Sequence, residues 1–156
     1  AMFRDRRLIQ FLQRPAEYTH AVFSTALDPN VFVLRLVPGM RADIIPLLEG
    51  RYRALVLESF GVGGLPGGDD GAMFAAVRDW CGAGHLAVFT TQVPHEGSDL
   101  AVYEVGRAAK ALPGVLEAHD MTLEATAVKL MWVLGQTTDR AEAEKLFLTP
   151  VQWDIL

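Results

Sequence analysis

Short apolar runs alternate with amphipathic stretches along the chain from residue 31 onward. Four of these runs are rich in Val, Leu and Phe, have the length of strands and are bounded by Pro, Gly or Asp, which predicts β-strands. They are "VFVLRL" (31–36), "ALVLESF" (54–60), "HLAVFTTQ" (85–92) and "GVLEAH" (114–119). Three of the runs are almost continuously apolar, as is typical of strands that are covered on both faces of a sheet.

Helical spacing of apolar residues marks the stretches that separate or follow these strands. Helices are predicted in "ADIIPLLEG" (42–50), "DDGAMFAAVRDWCGAG" (69–84), "SDLAVYEVGRAAKAL" (98–112), "DMTLEATAVKLMWVLGQ" (120–136) and "TTDRAEAEKLFL" (137–148). The residues that can cap them are Ser98 or Asp99 for the third helix, Asp120 or Thr122 for the fourth with Gly135 at its end, and Thr138 or Asp139 for the last.

Strands that alternate with helices predict a three-layer α/β domain of the Rossmann-like kind. We expect a mostly parallel four-stranded sheet with helices on both faces, and we place this domain at residues 31–156. Residues 1–30 lack a regular pattern, although "RRLIQFLQ" (6–13) has helical spacing before Pro15. We interpret residues 1–30 as an irregular connector.

Composition excludes several classes of protein. The chain has 156 residues, 51% of them hydrophobic, so we expect one folded domain rather than a disordered segment. The net charge of −5 makes binding to nucleic acid unexpected, and the basic cluster "RDRR" (4–7) is interpreted as a solvated terminal segment. The single cysteine, Cys81, excludes an intrachain disulfide and fits a reducing compartment, so a cytoplasmic location is expected. No apolar stretch approaches the ~20 residues of a membrane span.

Three loops are expected at the carboxyl edge of the sheet, where ligands bind in folds of this kind. They are "VPGM" (37–40), "FGVGGLPGGDDG" (60–71, the glycine loop) and "TTQVPHEGSD" (90–99). The glycine loop does not match a phosphate-binding loop, because its spacing differs from G-x-G-x-x-G, it has no lysine, and Asp69 and Asp70 would repel an anion. Two interpretations stay open: a permissive turn, or a backbone that closely approaches a ligand or partner.

The other candidates for chemistry are weak. Thr90 and Thr91 end a predicted strand near His95 and could form a nucleophile with its base, but a structural role for the threonines is favoured. The four histidines, at positions 20, 85, 95 and 119, lack the spacing of a metal site, and Cys81 is expected to be a buried, inert thiol. We therefore predict neither a metal nor a cofactor, and the residues alone give no complete catalytic set.

Three segments resemble the C-terminal domain of the L-asparaginase family, and in particular its cytoplasmic, type I members. They are "FVLRLVPGM", "ALVLESFGVGGLP" and "GVLEAHDMTLEATAVKLMWVLGQT", and their order agrees with the family from about residue 30 to residue 148. The resemblance implies hydrolysis of the side-chain amide of asparagine through an acyl-threonine intermediate. In the family, the nucleophilic threonine belongs to an N-terminal domain whose G-G-T-I and G-T-D motifs are absent here. The chain by itself is therefore expected to be inactive.

The resemblance also implies a site and partners. The C-terminal domain would form a homodimer or homotetramer, and its glycine loop would reach the active site of a neighbouring subunit, where a small amino acid is the substrate. The implied substrate-binding residues are Gly61, Val62, Gly63, Gly64 and Tyr103. Gly64 departs from the family, which usually has asparagine there. Some bacterial members bind asparagine at an allosteric site through an arginine and a cysteine; Glu58 and Val93 stand at those positions, so we predict that this effector site is absent.

Two other functions stay open. The helix segment "KLMWVLG" (129–135) also resembles the asparaginase-like subunit of a tRNA-dependent amidotransferase, in which the released ammonia would be used for amidation. A protein of a different class, a non-catalytic association module that binds a partner or metabolite through the three rim loops, fits the same residues. The sequence leaves the preference between asparagine and glutamine open.

Overall fold

The computed structural model describes residues 2–4, 7–9, 23–66, 71–93, 96–151, 154 and 155, with the backbone alone for residues 2–4 and 7–9. The described part contains six strands: β1 (Met2–Arg4), β2 (Arg7–Ile9), β3 (Val31–Arg35), β4 (Ala54–Ser59), β5 (Leu86–Thr91) and β6 (Val115–Glu117). Its four α-helices are α1 (Ala72–Gly82), α2 (Glu104–Lys110), α3 (Leu123–Gln136) and α4 (Arg140–Leu148).

The predicted parallel sheet is confirmed, with the strand order β3-β4-β5-β6. The pairing of β4 with β5 runs from Ala54 opposite Leu86 to Ser59 opposite Thr91, and all three pairings are parallel. Every residue of β4 is buried, because this strand has a neighbour on each side and a layer of helices on each face. The carboxyl ends of β4 and β5 therefore lie side by side and project their loops from the same edge of the sheet.

Two apolar cores cover the two faces of the sheet, as predicted for a three-layer domain. Successive side chains of β4 enter one core and then the other, since side chains of a strand point alternately to opposite faces of the sheet. Val56 packs with Leu130 and Phe147 in the core beneath α3 and α4. Leu57 packs with Trp80 in the core beneath α1, where the indole N–H of the tryptophan donates to the carbonyl of Leu86 at 2.9 Å.

The helix caps are predicted correctly for the last two helices. Thr122 caps α3, where its hydroxyl accepts the N–H of Ala125 at 3.2 Å, and Asp139 caps α4, where its carboxylate accepts the N–H of Glu142 at 2.8 Å. Gly135 does not end α3, because the helix continues to Gln136.

Two predicted helices differ from the structure. The stretch 42–50 forms two 3-10 turns, Ala42–Ile44 and Pro46–Leu48, since Pro46 has no N–H to continue a hydrogen-bonded helix. Helix α2 begins at Glu104 rather than after Ser98 or Asp99. In the structure the segment before α2 is instead joined to other loops: the N–H of Ser98 donates to the carbonyl of His119 and the N–H of Asp99 donates to that of Val62.

The N-terminal segment is partly regular. Strands β1 and β2 pair antiparallel, so the prediction of an irregular backbone is wrong for residues 2–4 and 7–9. The helical spacing of residues 6–13 likewise does not give a helix at residues 7–9. Residues 10–22 lie outside the described residues, as do Asp69, Asp70 and His95. The role of residues 1–30 as a connector stays a prediction.

Residues 23–30 lie along the C-terminal turns of α3. The N–H of Asp28 donates to the carbonyl of Met131 at 2.9 Å, and the side chain of Gln136 donates to the carbonyl of Ala26 at 2.9 Å. The guanidinium of Arg53, just before β4, donates to the carboxylate of Asp28 at 2.8 Å. These bonds fix the segment at the amino edge of the sheet, opposite the glycine loop.

The ion pair between Asp28 and Arg53 gives a pH-dependent prediction. Burial by itself raises the pKa of Asp28, but the hydrogen bond and the charge of Arg53, together with the N–H of Asn30, outweigh it and hold the pKa below its ordinary value. A carboxyl whose pKa is lower in the folded state stabilises the fold above the pKa of the unfolded chain, and this contribution disappears as the pH falls through the folded-state pKa. We expect Asp28→Asn to cost about 1 kcal/mol at pH 7.

Urea unfolding of both proteins between pH 7 and pH 3 checks this, with about 3.9 as the ordinary pKa of an aspartate. The difference in unfolding free energy should shrink toward acid. A difference that is constant across this range would show that the charge of Asp28 is not what fixes the segment.

Candidate functional site

The side chain of Gln92 joins the ends of the strands from which the three loops at the carboxyl edge leave. This residue follows β5, and its amide nitrogen donates to the carbonyl of Leu36 at 2.7 Å and to that of Glu58 at 2.9 Å. The carbonyl of Leu36 leads into the loop at 37–40, and Glu58 lies two residues before the glycine loop. The amide side chain of Gln92 therefore links the carboxyl ends of three neighbouring strands.

The glycine loop begins as a tight turn closed by its own backbone. The carbonyl of Phe60 accepts the N–H of Gly63 at 3.1 Å and that of Gly64 at 2.8 Å, and the N–H of Phe60 donates to the carbonyl of Gly64 at 3.1 Å. A phosphate cradle needs several N–H groups that point at the ligand. In this turn two of them are bound internally, which agrees with the sequence argument against phosphate.

Two glycines of the loop are required by the close approach of the segment that precedes α2. A Cβ atom at Gly61, whose φ is +49°, would lie 3.2 Å from the hydroxyl of Tyr103. A Cβ atom at Gly63 would lie 2.8 Å from a methyl group of Leu100. The carbonyl of Val62 accepts the N–H of Asp99 at 2.6 Å. The structure thus brings residues 61–64 of the glycine loop close to Tyr103, which follows them by 39 or more positions in the sequence.

Gly64 lines an open cavity rather than a closed contact. The cavity has a volume of about 270 Å³ and is bordered by Phe60, Gly61, Leu65, Tyr103 and Val105. A Cβ atom at Gly64 would lie 3.2 Å from the carbonyl oxygen of Phe60, and the backbone there is outside the left-handed region. A side chain at this position is therefore tight but compatible with the backbone.

Thr91 is not a free nucleophile. Its hydroxyl donates to the carbonyl of Gly61 and accepts the N–H of Val93 at 2.9 Å, so its proton is already committed. Thr90 is buried. His95, the base considered for these threonines, lies outside the described residues. The structural role favoured from the sequence agrees with these bonds.

A second cavity lies between the end of β5 and the start of α3. It has a volume of about 250 Å³, and both Glu58 and Val93 line it together with two further acidic side chains, Glu96 and Asp120. The carboxylate of Glu58 lies 3.6 Å from the guanidinium of Arg35. The two positions at which the resemblance expects an arginine and a cysteine thus face the same cavity, which Glu58, Glu96 and Asp120 make acidic.

The family model of the glutaminase/asparaginase C-terminal domain matches residues 30–147. The chain belongs to this family. The resemblance read from three sequence motifs is confirmed over nearly the same range. Within the described residues, no helix has the length and apolar character needed to cross a membrane.

Relatives of this asparaginase-type C-terminal domain include much longer proteins. An L-asparaginase of Thermococcus kodakarensis is 41% identical over 125 residues, which are 80% of this chain and 37% of the relative. A glutamyl-tRNA(Gln) amidotransferase component of Metallosphaera sedula is 36% identical over 123 residues, which are 78% of this chain and 27% of that protein. The chain therefore spans well under half the length of the relatives that it matches.

Solved structures agree with the fold. The thermostable L-asparaginase from T. kodakarensis superposes with a TM-score of 0.82 at 36% identity, over 92% of this chain and 43% of that one. L-asparaginase I from Vibrio cholerae superposes with a TM-score of 0.71 at 25% identity, over 83% of this chain and 38% of that one. These likenesses confirm the three-layer α/β architecture.

Some features of the asparaginase C-terminal domain were not found by sequence reasoning. Glu117 is buried in β6, where its carboxylate lies 2.6 Å from the ammonium of Lys110 and accepts the N–H of Leu100 at 3.3 Å. The hydrogen bond to Glu117 raises the pKa of Lys110. The sequence signal for this contact is a charged residue inside the apolar run "GVLEAH". Glu117 fixes the segment that contains Tyr103 at both ends, at Leu100 and at Lys110.

The remaining sequence predictions concern a metal and the thiol of Cys81. Within the described ranges, no group of three or more His, Cys, Asp or Glu side chains is placed to hold a metal ion. Cys81 is buried, and burial raises the pKa of its thiol to about 12, so the thiolate is scarce at neutral pH. The expectation of an unreactive cysteine is supported.

Proposed function

We propose that this chain is the C-terminal domain of an L-asparaginase-like amidohydrolase. Its glycine loop would complete an active site whose threonine nucleophile belongs to the N-terminal domain of a neighbouring subunit. The substrate-binding residues proposed for this role are Gly61, Val62, Gly63, Gly64 and Tyr103. The reaction is the hydrolysis of L-asparagine to L-aspartate and ammonia.

The observation that carries the proposal is the position of the connector relative to the glycine loop. Residues 23–30 are bound at the amino edge of the sheet through Arg53 and α3, whereas the glycine loop leaves the carboxyl edge. Strand β4 separates the two edges by about 20 Å, since a strand rises ~3.3 Å per residue. A domain that joins the chain through this connector starts at the far edge, which favours use of the loop by a different subunit.

The chemistry divides between two domains in this proposal. A threonine hydroxyl of the N-terminal domain attacks the amide carbon, ammonia leaves, and water hydrolyses the resulting ester to release aspartate. The glycine loop supplies backbone groups and close approach, and Tyr103, which is 48% exposed beside it, supplies a hydroxyl. Such groups orient a substrate and exclude water from it.

The proposed assembly is a homodimer or homotetramer in the cytoplasm. The half-exposed side chains of Tyr103 and Val105 line the cavity beside the glycine loop, which supports an interface at this edge. No cofactor enters the proposed mechanism.

The amidotransferase function is the second candidate, because several relatives are components of glutamyl-tRNA(Gln) amidotransferases. In that case the same hydrolysis would supply ammonia to a second active site. The net charge of −5 disfavours direct contact between this domain and tRNA, so tRNA would be bound elsewhere in such a complex.

Ammonia release from L-asparagine tests the proposal. The purified chain should give no turnover. A hybrid in which residues 30–147 replace the matching C-terminal part of the T. kodakarensis L-asparaginase should release ammonia. Turnover by the chain alone would place the catalytic groups within it and contradict the proposal. A folded but inactive hybrid would instead favour the non-catalytic association module.

A further inference from the structure

We propose that Thr91 is the positioning residue of the glycine loop and that it turns the N–H of Val62 outward as a hydrogen-bond donor for an oxygen of the substrate. The inference rests on the proposed function for the identity of that substrate. It goes beyond it in naming the group that sets the loop and the backbone atom that the loop presents.

The first step is the double use of the Thr91 hydroxyl. A hydroxyl has one proton to donate and lone pairs to accept. That of Thr91 donates to the carbonyl of Gly61 and accepts the N–H of Val93, so one side chain joins the loop after β4 to the turn after β5. The register places Thr91 opposite Ser59, two residues before Gly61, and this brings the hydroxyl within reach.

The second step is the orientation of a peptide group. In a trans peptide the carbonyl of one residue and the N–H of the next point in opposite directions. The carbonyl of Gly61 points to Thr91, so the N–H of Val62 points away from Thr91. The carbonyl of Val62 is also bound inward, by the N–H of Asp99 at 2.6 Å. Both peptide groups that flank Val62 are therefore fixed.

The third step is that this donor is unused. Among the described residues, the N–H of Val62 has no hydrogen-bond acceptor, whereas those of Gly63 and Gly64 are bound to Phe60. Val62 is half-buried. An unbound N–H that is held in a set direction suits a carbonyl or carboxylate oxygen, which are the acceptors that an amino-acid amide carries.

The loop needs this anchor because of its glycines. Gly61 and Gly63 have no side chain to pack, and glycine allows the backbone many conformations. The hydrogen bond from Thr91 restricts the backbone conformation of Gly61, as side-chain packing does at other residues. A role as nucleophile does not fit the same hydroxyl, since its proton is already donated in the hydrogen bond to the Gly61 carbonyl.

Amide hydrogen exchange by NMR on the chain itself tests the positioning of the loop by Thr91 and the unbonded state of the Val62 N–H. In the wild type the amides of Gly63, Gly64, Val93 and Asp99 should be protected, and that of Val62 should exchange at close to the rate of an unbonded amide. Thr91→Val keeps the β-branched shape and removes the hydroxyl. It should speed exchange in the four protected amides about five- to tenfold or more, as expected for loss of one hydrogen bond in a loop that opens locally.

The controls separate positioning from general stability. Thr91→Ser keeps the hydroxyl and should restore protection of the loop amides. Thr122→Ala removes the cap of α3 and should lower global stability without selective exposure of the loop. The amide of Val88, in the middle of β5, should be unchanged in Thr91→Val.

Three outcomes would overturn the inference. They are a protected Val62 amide in the wild type, unchanged loop exchange in Thr91→Val, or an equal loss of protection at Val88 and in the loop. None of these readouts depends on asparagine hydrolysis, so failure of the proposed function and failure of the positioning role are distinguishable.

Discussion

Replacing Gly135 with alanine is expected to lower the melting temperature of this chain by several degrees, although such a change normally stabilises a helix. Alanine is favoured over glycine within a helix by about 1 kcal/mol. At Gly135, however, the new Cβ atom would lie 2.4 Å from the carbonyl oxygen of Ala26 and 2.6 Å from its carbon. Both are backbone atoms, so the segment before β3 has to move.

The movement breaks the bonds that this segment makes. The Gln136 side chain loses the carbonyl of Ala26, and the bonds of Asp28 to Met131 and Arg53 are pulled out of place. Overpacking of this kind costs about 1–3 kcal/mol, which corresponds to roughly 2–4 °C per kcal/mol for a chain of this size. Thermal unfolding followed by circular dichroism measures the change.

Gly82 is the matched control. It ends α1, and a Cβ atom there would have no neighbouring heavy atom within 4 Å. Gly82→Ala should therefore stabilise the chain by roughly 0.5–1 kcal/mol. The two variants make the same chemical change in a helix with opposite expected signs. Equal signs would mean that the close approach of Ala26 does not define the packing of the segment.

The sheet could be predicted from the sequence because its signals are local. Each parallel strand is a short apolar run between turn residues, and the alternation with helices leaves few topologies. The caps of α3 and α4 were found for the same reason, since Thr122 and Asp139 act on residues three positions away.

The start of helix α2 and the stretch 42–50 could not be predicted in this way, because the segment before α2 is held by contacts with other loops and Pro46 lacks an N–H donor. The N–H groups of Ser98 and Asp99 are bound by His119 and Val62, which belong to other loops. A pattern of helical spacing contains no information about such partners. Pro46 was visible in the sequence, but its effect depended on where the first turn ended.

The candidate site was predictable only as a set of loops. Strand order places the glycine loop and the turn after β5 at one edge, and the absence of lysine argued against phosphate. The contact of Tyr103 with Gly61 and the bond from Thr91 depend on the register of β4 with β5 and on the path of residues 96–103. The roles of Gly61 to Gly64 and Tyr103 in substrate binding stay predictions.

A loop that acts in a neighbouring subunit makes a distinctive prediction for mixed oligomers of the hybrid described above. One variant carries Gly63→Val, in which the Cβ atom would lie 2.8 Å from Leu100 and 3.3 Å from the Asp99 carbonyl, so the loop cannot keep its position. The other variant carries alanine in place of the threonine nucleophile of the N-terminal half. Each alone should have little or no activity.

The most direct test of the account is ammonia release after the two inactive hybrids are unfolded together and reassembled. If the loop serves the neighbouring subunit, half of the dimers contain one intact site, and activity should return to about a quarter of the unmodified hybrid, as two-fold symmetry requires. The hybrid with Gly82→Ala, treated in the same way, controls for losses on reassembly. No recovery in a mixture that forms dimers would contradict the central claim, because it would mean that the glycine loop acts only within its own chain.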